Sequence, residues 1–194
     1  MGAEIALGKN SLALKEWAVV IESLAAGKQI LLLRKGGLHE RHGKFSTEPA
    51  EFFFFPTYVH QMEQGVVSDA APQLRIALHN RAADEQLRIA HYATVADVQW
   101  LDSRECIEAL AGLHCWTSET VEKRFLYKTT GLYLFVLRVY QLPQPYWLAM
   151  LKRYAGCRSW VELDESLSTD GAKPVLDDRT FAEREAELQT RLAL

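Results

Sequence analysis

Two cations and two glycines, Arg34-Lys35-Gly36-Gly37, follow directly on the apolar run Ile30-Leu31-Leu32-Leu33. Glycine lets the backbone take positive φ and come close to a ligand. Successive amides in such a turn form a nest for an anion. A guanidinium forks onto a phosphate, and an ammonium acts as a point charge. The GxxxxGK[ST] spacing of a nucleotide phosphate loop is absent. The chemistry these residues suit is anion binding at the end of a rigid strand. The plainer alternative is a strand-end turn with solvated cations.

A second candidate is Pro56-Thr57-Tyr58-Val59-His60-Gln61, launched from the run Phe52-Phe53-Phe54-Phe55. Tyr58 has a ring that stacks on a base, and His60 and Gln61 carry groups that hydrogen-bond base edges or phosphates. His60 also has the chemistry of a general base. Against this stands a helix start capped by Thr57. The third candidate is Arg138 with Tyr140, two apart and so on one face of a strand. An arginine in an apolar strand needs an acid or a ligand. Glu16 or Glu22 would serve as a buried partner, and a phosphate is the functional alternative.

Other chemistries are poorly supplied. His39 and His42 flank Glu40, but a metal site needs three or four convergent ligands. Neither HExxH nor paired cysteines occur, so no metal is expected. Cys157 next to Arg158 has a neighbour that lowers a thiol pKa, without a histidine nearby in sequence. Lys15, Glu16, Glu22 and Asp97 are the groups a metal-dependent nuclease or phosphoesterase would use, with Mg²⁺ as the cofactor in that case only. They lack an Asp…Glu-x-Lys arrangement, and the glutamate-rich helix of a nucleotide pyrophosphatase is missing. Whether the chain is an enzyme is left open at this stage.

The 194 residues suffice for one sizeable core. A hydrophobic content of 48% with 24% charged residues is that of an ordinary globular chain, and no run reaches the length of a membrane helix. The N-terminus lacks a signal-peptide pattern. Three widely spaced cysteines, Cys106, Cys115 and Cys157, read as reduced thiols, and the expected location is cytoplasmic. A net charge of −3 excludes a uniformly basic nucleic-acid binder. The charge is uneven, however. From Val161 onward nine acids face four Lys/Arg, whereas Lys28 to Lys44 holds five Lys/Arg against Glu40 alone.

The elements that must position these groups are read from periodicity. Residues 1–13 look like a frayed lead-in. Trp17–Ile21 and Gln29–Leu33 are β-rich around a turn at Ala25–Lys28 and predict a hairpin. Phe52–Phe55 predicts a strand buried on both faces and closed by Pro56. Leu74–Leu78 fits a short strand or a helical turn. Leu87–Trp100 predicts a strand. Helices follow at Asp102–Leu113, capped by Asp102 or Ser103, and at Glu119–Phe125, capped by Thr117 or Ser118. Leu132–Leu142 is the most regular strand, ended by Pro143 and Pro145. Trp147–Tyr154 suggests a helix with Gly156 as its stop. Asp177–Leu194 is an amphipathic helix with Phe181, Leu188 and Leu192 on one face. The expected class is α+β, with a mixed or antiparallel curled sheet and a small barrel as its closed extreme. Residues 1–165 form one domain, and 166–194 a linker and helix that docks on the body, a second copy or a partner protein.

Several stretches carry a resemblance: Lys15-Glu16-Trp17-Ala18-Val19-Val20-Ile21-Glu22, Leu32-Leu33-Arg34-Lys35-Gly36-Gly37, Phe55-Pro56-Thr57-Tyr58-x-His60-Gln61, Arg124-Phe125, Leu137-Arg138-Val139-Tyr140-x-Leu142, and Cys157-Arg158-Ser159-Trp160-Val161-Glu162-Leu163. Together they resemble an uncharacterised bacterial family, domain of unknown function number 1802, over roughly residues 12–190. The resemblance implies a restriction or DNA-processing context, because relatives are sometimes linked to a restriction-endonuclease-like domain. A weaker fold analogy is to small PUA-like β-barrel readers of RNA or modified DNA. The reading reached is a nucleic-acid or phosphate-ligand binder using Arg34, Lys35, Gly36, Gly37, Tyr58, His60, Gln61, Arg138 and Tyr140. A nuclease and a non-catalytic interaction module remain the alternatives.

Overall fold

The computed structural model describes residues 8–36, 51–58, 65–156 and 158–193. Its centre is the antiparallel pair β4 (Gln86–Leu101) and β5 (Leu132–Ala149). Around it stand β1 (Lys9–Trp17), β2 (Leu31–Arg34), β3 (Glu51–Thr57), β6 (Trp160–Ser168) and the two-residue β7 (Lys173–Pro174). The strands make one mixed sheet in the order β2-β5-β4-β3-β1-β6, with β7 beside β5. Among the described residues only β1 and β3 run parallel. The helices are α1 (Ala18–Ala25), α2 (Ala71–His79), α3 (Arg104–Ala109), α4 (Ser118–Leu126) and α5 (Asp178–Leu192), and the fold is α+β. The sheet is curled but open, so it is no barrel: β2 and β6 remain edges. Among the described residues no helix is long and apolar enough to cross a membrane.

The phenylalanine run shows why the sheet is covered on both sides. Side chains alternate along a strand, so Phe52 and Phe54 enter the larger core with α1, α4 and α5, while Phe53 and Phe55 enter a smaller one. Phe53 meets Tyr92 at 4.8 Å and Phe55 meets Tyr154 at 6.1 Å. α5 closes the larger core with Phe181 and Leu188, and Asp177 caps it by accepting from the Thr180 N–H.

Five expectations give way. The predicted 17–37 hairpin is absent: β1 ends at Trp17 and α1 follows at once. α1 is buried on nearly all sides, at Ala18, Val19, Val20, Ile21, Ser23 and Leu24. That burial outweighs the β preference of Val-Val-Ile. Gly27, at φ +66, lies just past the helix as its left-handed stop. Residues 9–13 are strand, not lead-in, because β6 pairs with them from Lys9 onward and β3 joins at Ala13. Pro143 and Pro145 do not stop β5. They fall in the bulge between Gln141 and Tyr146, where no ladder donor is needed. Trp147–Ala149 is therefore still strand, and only Lys152–Tyr154 forms a 3-10 turn. Similarly Pro56 lies within β3, beyond its pairing with β4. Leu74–Leu78 falls within helix α2.

Two buried histidines give a pH prediction. Burial pushes His91 and His114 down to about 4, with Arg88 and Arg124 respectively adding repulsion. The unfolded chain protonates near 6.5, so it binds more protons than the folded form between those values. The stabilisation is complete above about pH 6.5 and is lost as pH falls toward 4, on the order of 3 kcal/mol per histidine. Urea unfolding at about pH 7.5 and about pH 4.5 reads this loss, and a His91→Gln/His114→Gln double variant should flatten it. An equally steep loss in that variant would contradict the assignment.

Candidate nucleic-acid interface

Because β1 and β3 are parallel, their ends coincide, and Thr57 Oγ1 donates to the Glu16 carbonyl at 3.0 Å. Three strands stand between β2 and β1 in the ladder, yet the curl brings the end of β2 to the same place. Arg34 Nη1 meets Glu16 Oε2 at 2.6 Å and donates to the Lys15 carbonyl at 3.2 Å. Glu16 Oε1 accepts from the Trp17 N–H, so this carboxylate is held from both sides. Among the described residues, Nε and Nη2 of Arg34 have no partner.

These groups line a hollow of about 290 Å³, shared with Lys15, Lys35, Gly36 and Arg124, in which Glu16 is the one acid among the described residues. Lys35 Nζ donates to the carbonyls of Phe125 (2.7 Å), Gly131 (2.9 Å) and Thr129. It therefore ties the end of β2 to the end of α4, and partial burial lowers its pKa. Lys15 Nζ donates to the carbonyls of Gly156 (3.0 Å) and Tyr154. Arg124 lies between two indoles, 4.3 Å from Trp17 and 4.8 Å from Trp116. A second hollow of about 420 Å³ adjoins, sharing Lys35 and Arg124 and adding Lys123 and Tyr127.

The anticipated residues divide. Arg34, Lys35 and Gly36 come together. Tyr58 turns to a separate space of about 20 Å³ with Glu22, Asn80, Arg88 and His91, and Arg81 stacks on its ring at 5.3 Å. Burial raises the Tyr58 pKa, with Glu22 adding to it. Tyr140 belongs to the smaller core. Gly37, His60 and Gln61 lie outside the described residues, as do His39, Glu40, His42 and Cys157.

Arg138 is remote from the hollow, and its partner is neither Glu16 nor Glu22. Its guanidinium meets Asp178 Oδ1 at 2.5 Å and the Asp177 carbonyl at 3.3 Å, and stacks on Phe181 at 4.7 Å. It pins α5 to the sheet, and its Nε is buried without a partner among the described residues. Arg138→Ala should lower stability by about 2 kcal/mol in urea unfolding, through the lost stacking and pairing, with ligand affinity unchanged. Reduced affinity at equal stability would contradict this.

The groups considered for a nuclease are dispersed. Glu22 accepts from Asn80 at 3.1 Å, Asp97 from the Val98 N–H and from Gln99, and Glu16 is held by Arg34. Among the described residues no three His, Cys, Asp or Glu converge as metal ligands. Cys115 is buried, which pushes its thiol up to about 11.

The sequence reading missed Arg124 as a site residue, along with Trp17 and Trp116. Lys123-Arg124 at the end of an amphipathic segment looks like solvated helix charge, and its indole partners are distant in sequence. Arg124-Phe125 as a family marker was the one available signal.

A family model described as a domain of unknown function (DUF1802) matches residues 13–187. No curated protein matches the sequence. Among solved structures, the chain is similar to ASCH from Zymomonas mobilis at 10% identity and a TM-score of 0.48, covering 92% of this chain and 93% of that one. A tyrosine-to-phenylalanine variant of the same protein gives 13% identity and a TM-score of 0.43, covering 79% of this chain and 90% of that one.

Proposed function

We propose that this chain, which belongs to the family described as a domain of unknown function (DUF1802), binds nucleic acid through its phosphates at the hollow between β1, β2 and α4. The observation that carries the reading is Arg34. Glu16 holds one edge of its guanidinium, and Nε and Nη2 have no partner among the described residues. A fork oriented in this way suits an anionic oxygen. Lys15, Lys35 and Arg124 set a positive field around it, opposed by Glu16 alone among the described lining residues. The setting we propose is restriction or DNA processing, which the family resemblance implies.

The test is a fluorescence-anisotropy titration of labelled oligonucleotides at increasing salt. Contact with three phosphates of a single strand predicts a slope of about −2 in log K against log salt. Absent or salt-independent binding to single strands, duplexes and RNA would overturn the proposal.

A further inference from the structure

The end of α4 carries exposed aromatic surface that the phosphate hollow does not use. Tyr127 follows the helix, is 58% exposed and borders the second hollow. A tight turn then runs to Gly131, closed by Thr129 N–H to the Tyr127 carbonyl (2.9 Å) and Gly131 N–H to the Phe125 carbonyl (3.0 Å). Lys35 clamps the same turn through three carbonyls. At its far end Gly131 takes φ +123, and a Cβ there would lie 2.2 Å from Trp100 Cζ2. Glycine thus lets the Trp100 indole rest on the backbone, where Tyr133 braces it edge-on at 4.7 Å. Trp100 nevertheless remains 44% exposed. A large aromatic that is braced on one side and open on the other suits stacking better than core packing. Lys128, at φ +61, places its ammonium 5.3 Å over the Tyr127 ring, and Lys123 and Arg124 are close by on α4.

Resting on the phosphate reading above, we infer that Tyr127 and Trp100 are two base-stacking platforms, and that the ligand is a single-stranded nucleic acid whose backbone runs from the Arg34 hollow across the 127–131 turn. Bases in a duplex already stack on one another and do not offer their faces to side chains, whereas unpaired bases do. Cations beside the rings complement the phosphates between stacked bases. Glu119, paired with Lys123 at 2.7 Å, is the one acid among the described residues lining the second hollow, so the surround of the rings stays mainly cationic.

The test measures affinity of the full chain for an eight-nucleotide pyrimidine strand, as RNA and as DNA, and for a hairpin duplex. The single strands should bind at least about tenfold tighter than the duplex. Trp100→Ala and Tyr127→Ala should each weaken single-strand binding about tenfold and leave the salt slope unchanged. Trp100→Phe and Tyr127→Phe, which keep a stacking ring, should restore most of it and guard against a folding defect. Alanine variants that bind like the parent, or equal affinity for the duplex, overturn this inference and leave the phosphate site standing. A parent chain that binds no oligonucleotide removes the phosphate reading itself. Equal losses on RNA and DNA are expected, because stacking involves the base and not the sugar.

Discussion

Arg34→Ala should abolish measurable oligonucleotide binding and cost about 3 kcal/mol of stability, because it leaves the Glu16 carboxylate buried without its cation. Glu16 is 5% exposed and Arg34 15%, so neither charge can recover full hydration when its partner goes. The two losses have different origins and can be separated. In an Arg34→Met/Glu16→Gln double variant neither member is charged, and a buried ion pair replaced by apolar or neutral groups of similar volume is often close to neutral in stability. That variant should regain most of the urea midpoint while binding stays lost, since no guanidinium remains to fork onto a phosphate. A double variant that binds like the parent would show that Arg34 acts only as a structural partner of Glu16.

The second large effect belongs to Arg124. Its guanidinium is stacked 4.3 Å and 4.8 Å from the rings of Trp17 and Trp116, both buried. A desolvated cation–π contact contributes about 2 kcal/mol, so losing two with the cavity that follows should cost Arg124→Ala about 3–4 kcal/mol. Burial lowers the Arg124 pKa while Glu16 opposes that shift. The indoles, like Glu16, thus compensate a cation removed from water. Arg124→Lys should recover less than half of the loss, because an ammonium has no plane to lie between two rings. Urea unfolding followed by tryptophan emission reads both variants. A lysine variant as stable as the parent would mean that charge alone, not stacking, holds the site.

Several of the elements that the chain announces locally are found. The alternating run of β5, the β4 stretch, the Ser103 and Thr117 caps and the amphipathic α5 each rest on residues a few positions apart. α1 did not announce itself, since a short helix buried nearly all round has the composition of a core strand. Arg34-Lys35-Gly36 was recognisable because a strand end followed by cations and glycine is a local pattern. Its meaning was not, because the carboxylate that orients Arg34 sits 18 residues earlier and the carbonyls that hold Lys35 lie 90 to 96 residues later. Arg138 likewise showed that a buried arginine needs an acid, but not that Asp178, 40 residues on, supplies it.

The meeting of β2 and β1 has a mechanical consequence. Between those two strands, among the described residues, the sheet is fastened by a side-chain clasp, Arg34 on Glu16, and not by a ladder of main-chain hydrogen bonds. Separating β4 from β5 breaks a long run of paired residues, whereas the clasp between Arg34 and β1 consists, among the described residues, of an ion pair and a carbonyl contact. The seam is therefore the low-energy place for the sheet to breathe. An anion held by the same guanidinium stabilises the fastened form by mass action. Amide exchange at Glu16 and Trp17 should then slow when an oligonucleotide is added, while the already protected β4–β5 amides stay unchanged. Equal slowing across both regions would argue against a seam that moves on its own.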